Sequence, residues 1–169
     1  MKRWVSIWAM FACYVLMPSA FAADNTNASG PEAVRQIVAS MEAAWNKHDM
    51  QAYGALFHDD AEWINVVGMY WRGKPQIVKA HTAFHETIFK DCRLEGKELT
   101  VREVTPDAVV AVWAHAQDAY KTPSGAVQEK TLNRLTLVVT KRNGKWLISQ
   151  GHNVWVNERA QRSNPVNLP

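Results

Sequence analysis

His81 and His152 are the side chains of this chain best fitted to handle protons, because an unperturbed imidazole titrates between pH 5 and 8. Each lies among apolar neighbours whose spacing predicts an inward direction. His81 sits mid-stripe between Ile77, Val78, Phe84, Ile88 and Phe89, counted at about 100° per residue. His152 belongs to a hairpin whose Asn143-Gly144 predicts a two-residue type I′ turn. That turn sets Val139 opposite Ile148, Leu137 opposite Gln150 and Leu135 opposite His152. Gln150, His152 and Asn133 then close one end of an apolar sheet face made by Leu135, Leu137, Val139, Trp146 and Ile148. A polar cluster on an apolar floor predicts a small-molecule pocket. Trp63 and Asn65, on one face of a strand predicted over 61–67, add a wall and an amide.

The expected ligand site is therefore Trp63, Asn65, His81, Gln150 and His152, with His81 and His152 as proton handlers. Two readings of His81 stay open. It is a general base or donor in the pocket, or a core histidine whose nitrogens bond the backbone or Asn65. His152 either lines the pocket or caps its open end, and a single bulge in the hairpin would reverse its direction. Trp63 either stacks on a flat ligand or fills the core. His81 and His85, four apart, have a spacing that can grip a metal, but no third ligand is fixed locally, and no cofactor is expected. His85 alone reads as a rim residue. The expected ligand is small, and apolar or aromatic.

The elements that position these groups follow from the rest of the chain. Met1-Lys2-Arg3, the apolar run to Met17 and Ala20-Phe21-Ala22 read as a secretory signal peptide over 1–22. The product is expected to be periplasmic or secreted, with no membrane contact after cleavage. Losing Lys2 and Arg3 lowers the formal charge from +3 to about +1, and the mixed charges leave no basic stripe for nucleic acid. Cys92 is then the only cysteine, which forbids an intramolecular disulfide and favours burial.

Residues 23–30 form a polar linker. Ser29-Gly-Pro-Glu32 starts a helix with the stripe Val34, Ile37, Val38, Met41 and Trp45, which ends at Asn46–Asp49. A short second helix reaches Phe57, and Lys74-Pro75 opens a third reaching about Lys90. Four alternating segments follow at 98–104, 108–121, 126–142 and 145–156, an antiparallel meander after a helical start, hence α+β. The domain spans 31–157, and the polar tail 158–169 reads as unstructured.

With an even-length loop around Pro123-Ser124, Trp113, His115, Arg134 and Trp155 share the outer sheet face, and Val110, Val112 and Ala114 the inner one. Two tryptophans on an outer face predict a homodimer interface there.

Trp45-Asn-Lys-His48-Asp, Leu56-Phe-His-Asp-Asp-Ala61, Asn65-Val-Val-Gly68, Trp71-Arg-Gly73, Ile77 with His81, Gly144-Lys-Trp-Leu-Ile148 and His152-Asn153 together carry a resemblance. Over about residues 31–156 the chain resembles the nuclear transport factor 2-like (cystatin-like) superfamily, and within it the SgcJ/EcaC and SnoaL-like branch. The resemblance implies a cone of three helices closing over a curved antiparallel sheet, and a homodimer through the outer face. It implies no single activity, since the superfamily holds isomerases, dehydratases, polyketide cyclases and non-catalytic binders. Asp59 to Gly68 is similar in spacing to the ketosteroid isomerase strand that carries a catalytic aspartate. Here that position is Asn65, and an amide cannot abstract a proton. These residues favour an exported binder of a small molecule, with an acid–base enzyme acting on an apolar carbonyl or polycyclic compound as the alternative.

Overall fold

Helix α1, Gly30–Asn46, carries the predicted stripe: Val34, Ile37, Val38, Met41 and Trp45 are all buried. Ser29 caps it, its hydroxyl accepting from the Glu32 amide, with Pro31 in the first turn. The computed structural model describes residues 28–167, so the signal peptide expected over 1–22 and most of the expected linker lie outside the described residues. The chain continues through α2 (Met50–Gly54), β1 (Phe57–Ile64), β2 (Tyr70–Arg72) and α3 (Lys74–His85). Then come β3 (Leu94–Thr105), β4 (Ala108–Gln117), the small β5–β6 pair (Tyr120–Lys121, Val127–Gln128), β7 (Thr131–Arg142) and β8 (Lys145–Trp155). The tail is structured: Asn157 caps a short α4, Glu158–Arg162, by accepting from the Ala160 amide.

Six strands form one curved sheet in the order β2-β1-β8-β7-β4-β3, antiparallel except where β1 runs parallel to β8. The helices cover its concave face, and the core lies between. Asn143 and Gly144 have φ of 51° and 78°, the type I′ geometry expected of the β7–β8 turn.

Beyond that turn the register departs from expectation. Val139 pairs with Ile148, but Val138 pairs with Gln150, so Ser149 is an extra residue in β8. Its hydroxyl bonds the Thr140 hydroxyl at 2.6 Å. This bulge reverses every side chain after it. Gly151, Asn153 and Trp155 now align with Leu137, Leu135 and Asn133, and Gln150 and His152 turn to the convex side. Gly151 is required there, because a Cβ would stand 2.3 Å from the Trp63 ring.

The other parity reversal lies between β4 and β7. Trp113 pairs with Leu135 and His115 with Asn133, because the connection over 118–130 holds an odd number of residues. Trp113 and His115 are therefore buried on the concave face, together with Val109, Ala111 and Gln117. Val110 and Val112 face outward, half-buried. Arg134 is convex and exposed, and Trp155 lies at the concave rim, 38% exposed. The four residues expected to share one outer face are split between two.

Candidate functional site

Of the predicted pocket, the fold brings together Trp63 and His81, whose rings lie 5.4 Å apart. Asn65 is committed elsewhere. Its Oδ1 accepts from the amides of Val67 and Met69, closing the turn between β1 and β2, so it is not a pocket amide. Gln150 aligns with Glu62 and Val138, and exposed His152 with Ile64 and Thr136, on the convex side. The Ser149 bulge is the physical reason for both displacements.

His81 is buried within a box of Trp45, Tyr53, Trp63 and Trp71, with ring centroids 4.8–6.2 Å away. Its Nδ1 stands 2.9 Å from the Ile77 carbonyl. A carbonyl can only accept, so Nδ1 holds the proton and Nε2 the lone pair. Burial lowers its pKa to about 4, the Ile77 bond opposing the shift, and the ring is neutral near pH 7. The backbone-bonded reading of His81 thus describes one nitrogen, and the other keeps the character of a base.

His85, read from sequence as a rim residue, is buried against Trp45, whose ring is 4.4 Å away, and Phe89. The third helix ends at His85 rather than Lys90, and the turn that follows brings Phe89 back over Trp45 and His85. Its Nδ1 lies 2.8 Å from Nδ1 of His48, and its Nε2 is buried without a partner among the described residues. Burial first, then the nearby His48 and His81, push its pKa down to about 4.

A second polar group on the sheet was missed by sequence parity, except for Asn133. Asn133 is fully buried, and its Nδ2 donates to Gln117 Oε1 at 2.9 Å and towards His115 Nε2 at 3.5 Å. His115 stacks on Trp113 with centroids 4.4 Å apart, and burial lowers its pKa to about 4. Asn133 Oδ1, Asn153 Oδ1, His115 Nδ1 and Thr131 Oγ1 are all buried without a hydrogen-bond partner among the described residues. All four side chains point to the concave side, by the pairing of β4, β7 and β8. The only sequence signal for them was polar residues at inward positions, and that signal needed the correct parity.

Among the described residues no group of three His, Cys, Asp or Glu side chains is arranged to hold a metal ion. Among the described residues, one surface groove lies beside Cys92, Tyr120 and Val127 and another beside His58, Asp60 and Arg142; neither contains the concave-face histidines.

A family model described as a SnoaL-like domain matches residues 34–148. The chain belongs to the SnoaL-like family. Among solved structures, an uncharacterized protein with a cystatin-like fold from Caulobacter vibrioides is 42% identical, with a TM-score of 0.79 over 81% of this chain and 96% of that one. A ketosteroid isomerase-like protein from Erwinia carotovora atroseptica is 18% identical, with a TM-score of 0.62 over 74% and 95%. A hexachlorocyclohexane dehydrochlorinase from Novosphingobium barchaimii is 16% identical, with a TM-score of 0.64 over 74% and 85%. The last two likenesses show the fold alone. No curated protein matches the chain. The SnoaL-like domain thus has the cystatin-like fold, with its helices packed on the concave sheet face.

Proposed function

We propose that this SnoaL-like protein is exported and binds a small molecule on the concave face of its sheet. The supporting observation is the set of buried, unpartnered polar atoms facing that side: Asn133 Oδ1, Asn153 Oδ1, His115 Nδ1 and Thr131 Oγ1. Leaving such a group unmatched costs about 1–3 kcal/mol, and native interiors contain few of them. Four from three adjacent strands are better explained by an occupant that supplies the partners. The ligand then combines an apolar body, suited to Trp113 and Leu135, with donors for the two amide oxygens and an acceptor for the imidazole N–H. Native mass spectrometry of the mature protein should show a co-purifying mass that Asn133→Leu and Asn153→Leu each abolish. Retention of the same mass by both variants would remove the site.

The second reading is an acid–base enzyme acting on a small apolar carbonyl or polycyclic compound. Its support is the pair of neutral buried imidazoles, His81 and His85, on one helix. Named relatives of the fold include a ketosteroid isomerase-like protein and a dehydrochlorinase, which makes proton abstraction a natural reaction class to test. Asn65, amide-bonded in its turn, gives no carboxylate route.

Export rests on the leader over 1–22, and N-terminal sequencing of the periplasmic protein should begin at Ala23. A homodimer through the convex face rests on its apolar content, from half-buried Val110, Val112 and Val138 to exposed Leu132 and Val154.

A further inference from the structure

The turn after α1 carries an unusual backbone. His48 has φ of 56°, a left-handed conformation that favours glycine or asparagine at a helix C-terminus. The turn is held by the His48 amide on the Trp45 carbonyl and the Asp49 amide on the Ala44 carbonyl. A non-glycine residue kept in that conformation is commonly found where its side chain has work to do. Here the side chain is exposed to solvent and its Nδ1 meets Nδ1 of buried His85 at 2.8 Å. One of the two nitrogens must hold the proton and the other the lone pair. On the far side of the His85 ring, Nε2 is buried with no partner among the described residues.

We infer that His48 and His85 form a proton relay from the buried Nε2 of His85 to solvent, in which His85 takes a proton from a bound ligand and His48 carries the resulting charge. The inference deepens the acid–base reading of His81 and His85 and rests on it. The ligand class is a small apolar compound with a weakly acidic C–H or O–H, such as an enolisable carbonyl compound or a phenol. In the resting state His85 donates Nδ1–H to His48, and its buried Nε2 carries the lone pair. The ligand's bond to hydrogen breaks, its electron pair stays on the ligand, and a bond forms from that hydrogen to Nε2 of His85. The Nδ1–H bond of His85 breaks in turn, its pair stays on the ring, and a new N–H bond forms at Nδ1 of His48. The products are a ligand anion and an exposed His48 imidazolium, so charge balances.

The division of labour follows from burial. A cation on His85 would lie against Trp45 and Phe89 with little water, whereas a cation on His48 is hydrated. The titratable groups facing His85 are His48, from the turn after α1, and His81, one turn earlier on α3. His81 sends its proton to Ile77 instead. His48 is therefore a positioning and charge-accepting residue, and His85 is the base.

Histidine-labelled ¹⁵N NMR of the mature protein tests this without a ligand. At pH 7, His85 should show a protonated Nδ1 and a bare Nε2. At pH 6 His85 should still carry a single proton, because burial holds its pKa down to about 4. His48→Asn preserves a hydrogen-bond acceptor and tolerates the backbone, yet cannot pass the proton on; it should leave the His85 tautomer in place and slow exchange of its ring proton with solvent at least tenfold. A proton resting on His85 Nε2, a doubly protonated His85 at pH 6, or unchanged exchange in His48→Asn would each overturn the relay. None of these outcomes depends on the co-purifying mass, so the relay and the binding site fail separately.

Discussion

Asn153 tests the interior site with the least disturbance. Its Oδ1 is buried and unpartnered on the concave side, so the ligand-free protein bears the cost of a bare acceptor. Replacing it with leucine removes that cost at similar volume. Ligand-free Asn153→Leu should be as stable as the parent or more so, by up to about 1–3 kcal/mol, in urea denaturation. The same variant should lose the co-purified ligand, the usual exchange of stability for function. Lower stability would mean that the amide is satisfied in the native protein. The buried histidines make a separate prediction. His81, His85 and His115 have folded pKa values near 4, below the ordinary imidazole value of 6.5. Between those values the unfolded chain binds more protons than the folded one, so stability falls as pH drops from about 6.5 towards 4. Stability should be level above about pH 7 and decline through that window, as urea midpoints at pH 7, 6 and 5 would show. A flat profile would place these rings in contact with water.

At the scale of elements, β8 decides the site. Ser149 is one residue too many for a regular ladder, and it exchanges Gln150 and His152 for Gly151 and Asn153 on the inner face. Gly151→Ala therefore drives a methyl group into Trp63 and should cost about 1–3 kcal/mol or more, the usual range for overpacking. His152→Ala changes an exposed convex residue and should stay within about 0.5 kcal/mol. Thermal melts of the two variants check the register directly, because the uninterrupted hairpin predicts the opposite order.

For the molecule as a whole, the reversal of β4 moves the proposed dimer surface. Trp113 is core, so it is unsuitable as an interface probe, and Trp155 belongs to the concave rim. The convex valines take their place. Val112→Glu should put an unpaired charge into a desolvated contact, which costs several kcal/mol, and sedimentation should show a monomer that keeps its fold. An unchanged dimer would locate the interface elsewhere.

Local rules were enough for much of this chain. The α1 stripe is a 3.6-residue period within one helix, and Asn143-Gly144 is a two-residue requirement for positive φ, so both were legible in the sequence. Trp63 and His81 were placed inward by short counts within their own elements, and the SnoaL-like resemblance covered nearly the whole domain. Facing directions across the sheet were different, because strand parity is a running count and one uncounted residue reverses all that follow. Ser149 did so in β8, and the odd connection over 118–130 did so in β4. The His48–His85 contact lies further still from local rules, since its partners are 37 residues apart on separate elements. No pattern in either segment encodes a 2.8 Å approach of two rings. Only the packing of α1 and α3 on the curved sheet brings it about.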